Sequence, residues 1–165
     1  MRVSDRELQD FRALVTGRTK GIGHAVATRL HESGAKVLVT ARTAPSGMPD
    51  TDFVAADVAT PDACATVVDA VSDRFGGVDV VVHVVGGSSA PAGGFTVLDD
   101  REWQRALDLN LLPAFRLDRA LLPAMLDRGT HMPHRSRGLA VVLEAASLFR
   151  TDHCARAADL ISTTR

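Results

Sequence analysis

Ala13-Leu14-Val15-Thr16-Gly17-Arg18-Thr19-Lys20-Gly21-Ile22-Gly23 runs from an apolar tripeptide, through a turn rich in glycine, into apolar residues at helical spacing. Each part has a physical reading. The tripeptide suits a buried strand. The turn needs glycine wherever a Cβ would collide or the backbone must take positive φ. The helix that starts at Ile22 aims its unpaired N–H groups, and the positive end of its dipole, back at the turn. Strand, glycine turn and helix in this order form a site for a phosphate or pyrophosphate.

Outward from this segment, strands and helices alternate. The first strand is Arg12 to Thr16. In the helix that follows, Ile22, Val26 and Leu30 fall at helical spacing with Ala25 beside them, and Gly34 closes it. Lys36 to Thr40 is a continuous apolar run, the pattern of a strand buried on both faces. The stretch 44–52, with Pro45, Gly47 and Pro49, reads as loop, and Phe53 to Ala56 as a short third strand. Thr60 then caps a helix with Pro61 at its first position; its stripe is Cys64, Val67, Val68, Val71 and Phe75, and Gly76-Gly77 ends it.

A fourth, valine-rich strand runs from Val78 to Val85, and a loop from Ser88 to Gly94 follows. Asp99 with Glu102 forms a capping box. The long helix beyond it carries Trp103, Leu107, Asn110, Ala114, Leu117 and Leu121 near one face, with a kink expected at Pro113 because proline removes a helical hydrogen bond. Gly138 to Ala145 is a fifth strand. Alternating strands and helices imply right-handed crossovers, and so an α/β fold with a doubly wound parallel sheet in three layers. The ligand crevice is expected at the carboxyl ends of the strands, beside strand one.

The composition sets the class. The 165 residues are 45% hydrophobic with a net charge of −1, which suits one soluble globular domain and carries no electrostatic signature of nucleic-acid or anionic-membrane binding. No apolar run approaches the ~20 residues of a membrane span. Residues 1–10 are polar and hold no apolar signal core, so a cytoplasmic location is expected. Cys64 and Cys154 are far apart and read as reduced thiols. His131, His134, His153 and Cys154 lack the spacing of a metal site, and none is assigned.

Four motifs in order make residues 11–129 resemble the N-terminal part of the short-chain dehydrogenase/reductases. They are Thr16-Gly17-x-x-x-Gly21-Ile22-Gly23; Asp57-Val58 after strand three; His83-Val84-Val85-Gly86 after strand four, where that family usually has Asn-Asn-Ala-Gly; and Asn110 in Leu107-Asp108-Leu109-Asn110-Leu111. The resemblance implies a Rossmann-type fold and a dinucleotide cofactor held by Gly17, Arg18, Thr19, Lys20, Gly21, Ile22, Gly23, Asp57, Val58 and Gly86. Asp57 would contact the adenine. It also implies an active-site role for Asn110, and Ser147 stands where the family's substrate-orienting serine would be. The plainer alternatives are a turn aspartate at Asp57, a strand-ending glycine at Gly86, a satisfied, half-buried histidine at His83, and an Asn110 amide that bonds the carbonyls freed at the Pro113 kink.

Charge bears on the cofactor. An acid at the end of strand two accepts from the ribose 2′-hydroxyl of NAD. Here that place holds Val39-Thr40-Ala41-Arg42, and the planar fork of Arg42 suits a 2′-phosphate. With Lys20 nearby, NADP is expected over NAD.

The chain departs from the family in one decisive respect. Family members move the proton with a tyrosine, assisted by a lysine four residues later. This sequence has no tyrosine, and its only lysines are Lys20 and Lys36. Residues 130–165 are atypical, as a frameshift or premature stop would make them, and the sheet is expected to be truncated after about five strands. The expectation is an oxidoreductase by descent, inactive as this chain; the alternative is a non-catalytic remnant that binds a dinucleotide or a partner. An open outer edge at strand five favours poor solubility and self-association into a homo-oligomer.

Overall fold

The computed structural model describes residues 8–17, 21–44, 53–91, 95–131 and 139–142. Its elements, in chain order, are β1 (Arg12–Thr16), α1 (Ile22–Glu32), β2 (Lys36–Ala41), β3 (Phe53–Ala55), α2 (Pro61–Phe75), β4 (Val80–His83), a turn of 3-10 helix (Phe95–Val97), α3 (Asp100–Asn110), α4 (Leu112–His131) and β5 (Leu139–Val142). The five strands form one parallel sheet in the order β3-β2-β1-β4-β5. The order reverses at β1, which leaves a crevice between the ends of β1 and β4.

Neighbouring residues in a strand face opposite layers, and here both layers are apolar. Leu14, Leu38, Val54 and Val81 pack with Val67 and Val71 of α2 and with Leu117, Leu121 and Met125 of α4. Ala13, Val15, Val37, Val39 and Val82 pack with Ala27 of α1, and Ile22, Val26 and Leu30 lie partly buried against them. This double burial is why the strands are continuous valine and leucine runs rather than alternating patterns.

The amino-terminal end of the sheet is fastened by charge. Asp79 Oδ2 accepts from the Arg12 backbone N–H at 3.0 Å and from Arg12 Nε at 2.8 Å, and Oδ1 pairs with Nη2 of the same guanidinium. Burial works to raise the Asp79 carboxyl, but the Arg12 hydrogen bonds and charge outweigh it and hold that group below its ordinary value.

Two expectations change. Ala25 is exposed, and the buried small residues of α1 are Gly23 and Ala27. Ala25 lies two positions from Gly23, about 200° round the helix, so it faces away from the sheet. The long helix around Pro113 is two helices, broken at Leu111 (φ −110°, ψ −53°). Proline has no N–H for the Leu109 carbonyl, so the helical hydrogen-bond ladder is interrupted there. The expected single apolar row is split as a result: Leu117 and Leu121 are buried, whereas Trp103 and Leu107 are about two-fifths exposed, and α3 buries no residue.

Candidate functional site

The carboxyl ends of β1, β2 and β4 are joined by two hydrogen bonds. The Gly17 N–H donates to the Thr40 carbonyl at 2.8 Å, and the Val84 N–H donates to Thr16 Oγ1 at 3.1 Å. Gly17 has φ +80°, and a Cβ built on it would lie 2.9 Å from Val85 N and 3.0 Å from Val84 C. Only glycine lets β1 turn this close under the end of β4. Gly21, at φ +65°, faces open space.

The start of α1 differs from the starts of α2 and α3. Thr60 caps α2 by accepting from the Ala63 N–H, and Asp62 stands in its first turn. Asp99 caps α3 by accepting from the Glu102 N–H, and Asp100 and Glu102 stand in its first turn. The α1 N-cap is Gly21, with no side-chain hydrogen bond and no acid in the first turn. Among the described residues, no side chain therefore answers its amides and dipole at the rim where an anion would sit.

Other residues singled out in the sequence gather on this rim. Arg42 is exposed, one residue beyond β2. Asp57 is exposed two residues beyond β3, and its Oδ1 accepts from the Ala59 N–H at 3.3 Å. The Val58 side chain is buried in the core, so it is not a rim group. Ile22 is half-buried, Gly23 is buried against the sheet, and Gly86 is exposed beyond β4. β4 ends at His83, earlier than the Val85 expected, so Gly86 does not itself end the strand.

Asn110 closes the site on the α3 side. Its Oδ1 accepts from the Gly87 N–H at 2.9 Å, and its Nδ2 donates to the Gly87 carbonyl at 3.0 Å and the Ala106 carbonyl at 2.8 Å. Its partners are thus the rim loop and its own helix, not carbonyls freed at Pro113. Arg18, Thr19, Lys20 and Ser147, as well as His134, His153 and Cys154, lie outside the described residues, and so does the side chain of His131.

Several contacts were not foreseen. His83 is 4% exposed, with Nε2 2.8 Å from Asp118 Oδ1 of α4 and Nδ1 without a partner among the described residues. It is therefore fully buried and bonded at one nitrogen, not half-buried and satisfied. Arg116 of α4 reaches the Ala59 carbonyl at 2.8 Å. The Cys64 thiol donates to the Val58 carbonyl at 3.2 Å; burial pushes it above its ordinary value, partly offset by the Arg116 charge. Among the described residues, no helix is long and apolar enough to cross a membrane.

Comparison with known proteins places this architecture. The sequence profile of the short chain dehydrogenases matches residues 12–142. This chain belongs to the short-chain dehydrogenase family. The match reaches the end of β5, past residue 129. The chain is 34% identical over 123 residues to the 3-oxoacyl-(acyl-carrier-protein) reductase FabG of Vibrio cholerae, over 70% of this chain and 50% of that protein. The chain thus spans about half the length of the curated relatives it matches. Among solved structures it is similar to L-sorbose reductase from Gluconobacter frateurii complexed with NADPH and L-sorbose, at 32% identity and TM-score 0.67, over 76% of this chain and 51% of that one. It is also similar to the NADH-dependent reductase A1-R′ complexed with NAD, at 25% identity and TM-score 0.73, over 82% and 60%. Gly17, Asp57 and Gly86 of the motifs read in the sequence follow the carboxyl ends of β1, β3 and β4 in this Rossmann-type sheet.

Proposed function

We propose that this chain binds a nicotinamide dinucleotide across the carboxyl rim, NADP(H) in preference to NAD(H). The observation that carries this is the start of α1, which has no side-chain cap and no acid in its first turn among the described residues, behind a Gly17 that cannot accept a Cβ. A pyrophosphate would supply the negative charge that the α1 dipole lacks. Gly17, Gly21 and Gly23, with Arg18, Thr19 and Lys20 between them, would hold it, and Ile22 would begin the helix beneath it. Asp57 and the backbone of Val58 would form the adenine end, with Asp57 accepting from the base, and Gly86 would let the ligand pass close to the end of β4. Arg42, exposed at the end of β2 where an NAD site carries an acid, would face the 2′-phosphate. Two similar structures hold NADPH and NAD respectively, so either cofactor suits this fold.

The cofactor, when bound, supplies hydride exchange with a carbonyl or alcohol carbon. The residues here supply binding and orientation, with Asn110 holding the rim loop and Ser147 proposed at the substrate oxygen. Family members move the proton through a tyrosine, and this sequence has none. An unassisted replacement would need a group titrating near neutral pH at the reacting atoms. We therefore propose an oxidoreductase by descent that binds its dinucleotide without turnover. Calorimetric titration of NADP and NAD tests the first half, with NADP binding more tightly. Absorbance at the nicotinamide band, with a panel of carbonyls and alcohols, tests the second, with no change above background.

A partner-binding role is the second reading. Trp103, Leu107, Leu111 and Phe115 recur every four residues along α3 and into α4, all with more than two-fifths of their surface exposed. An apolar row of this kind favours association, including a homo-oligomer. Sedimentation of the purified chain tests it, with a concentration-dependent mass expected.

A further inference from the structure

We propose that Arg116 is a positioning residue for the turn that reads the adenine, holding it from the neighbouring helix α4. The inference rests on the dinucleotide reading above and adds a residue that touches no ligand. The turn Asp57–Thr60 follows β3, and its three successive carbonyls are all engaged. The Asp57 carbonyl accepts from the Thr60 N–H at 3.0 Å and from Thr60 Oγ1 at 3.3 Å. The Val58 carbonyl accepts from Cys64 Sγ at 3.2 Å. The Ala59 carbonyl accepts from Arg116 Nη1 at 2.8 Å.

The first two bonds are local, spanning three and six residues, and travel with the turn. The third crosses 57 residues and ties the turn to α4. The Arg116 side chain is only 19% exposed, and its other terminal nitrogen faces Asp108 Oδ1 of α3 at 3.9 Å. One guanidinium therefore links the turn, α4 and α3, and α3 in turn holds the rim loop through Asn110.

The consequence falls on Asp57. Its Oδ1 is taken by the Ala59 N–H, the amide of the same residue whose carbonyl Arg116 grips. Fixing Ala59 at both its polar groups fixes the Asp57 carboxylate, so that Oδ2 is left to accept from a ligand amino group. A ligand N–H read by a placed carboxylate is discriminated from an analogue lacking it, because that analogue presents an acceptor to an acceptor.

The test uses 5′-AMP and 5′-IMP, which carries a carbonyl where AMP carries the amino group. Calorimetry is done on the full chain, Arg116→Ala, Arg116→Met and Arg116→Lys, with nicotinamide mononucleotide as the control for the other half of the crevice. The unsubstituted chain is expected to prefer AMP over IMP by about tenfold, the worth of one charge-assisted hydrogen bond. Arg116→Ala and Arg116→Met bring that ratio to about one with mononucleotide binding unchanged, and Arg116→Lys restores part of it. A general loss of structure would instead weaken all three ligands together. A folded Arg116→Met chain that keeps the AMP preference overturns the proposal, as does failure of both Arg116→Ala and Arg116→Met to fold, which makes the contact purely structural. An unsubstituted chain that binds AMP and IMP alike overturns it while leaving nucleotide binding in place. A chain that binds neither removes the dinucleotide reading as well.

Discussion

Asn110 holds both backbone polar groups of Gly87, accepting from its N–H at 2.9 Å and donating to its carbonyl at 3.0 Å. A neutral amide can do both at once with one planar face. Because α3 buries no residue of its own, this pair is a main anchor of that helix to the sheet rim. Asn110→Ala leaves a half-buried donor and acceptor without protein partners, and it is expected to cost about 1–3 kcal/mol. Urea unfolding measures the loss. Amide exchange in α3 and at Gly87 should quicken more than in α2. Asn110→Asp keeps the acceptor but sets its second carboxylate oxygen against the Gly87 and Ala106 carbonyls, and it should cost at least as much as Asn110→Ala.

The close passage of β1 under the end of β4 gives a second expectation. Gly17→Ala places a carbon 2.9 Å from Val85 N, at a φ of +80° that a side chain resists. Both neighbours at fault are backbone, so no rotamer change relieves the contact. Dinucleotide affinity should fall by at least tenfold, and the melting temperature should drop with it. Gly21→Ala, at a similar φ but facing open space, should lose less stability. Comparing the two melts separates collision from backbone strain.

Cofactor preference depends on Arg42. A guanidinium bound to a phosphate contributes about 1.5–3 kcal/mol, or roughly ten- to a hundredfold in affinity. Arg42→Ala should weaken NADP by that factor and leave NAD nearly unchanged, as read by parallel calorimetric titrations. Raising the salt concentration should shrink the difference, because Arg42 is exposed. Equal weakening of both cofactors would mean that Arg42 supports the rim without choosing between ligands.

The fold was legible in the sequence because its signals are local. Thr60-Pro61 and Asp99-Glu102 announce helix starts, and both caps are present at those positions. The valine runs announce strands covered on both faces, which β1, β2 and β4 are. What escaped were contacts between residues far apart in the chain. Arg12 and Asp79 sit at the entries to two strands, and only the parallel pairing of β1 with β4 makes them neighbours. His83 and Asp118, and Arg116 and Ala59, meet only after α4 crosses the sheet. The apolar row on the long helix misled for a related reason. Period alone cannot show that Pro113 lets the chain turn, so that Leu117 faces the sheet while Leu107 does not.

The Arg12–Asp79 clamp sets how the fold responds to acid. Asp79 has its carboxyl held below the ordinary value of 3.8 in the folded chain. The folded state therefore binds that proton less readily than the unfolded state does. The stability it contributes is complete above the unfolded value, near pH ~4, and drains away as pH falls through the lower folded value. Asp79→Asn removes the charge but keeps a side chain of the same size, and it should cost about 1–3 kcal/mol at neutral pH. Measured by urea unfolding, the gap between the two chains should hold steady from about pH 5 to 7 and narrow below about pH 4. A gap that stays constant into the acid range would mean that Arg12 accepts the protonated side chain as readily as the carboxylate. The clamp would then be a matter of shape and hydrogen-bond count rather than charge.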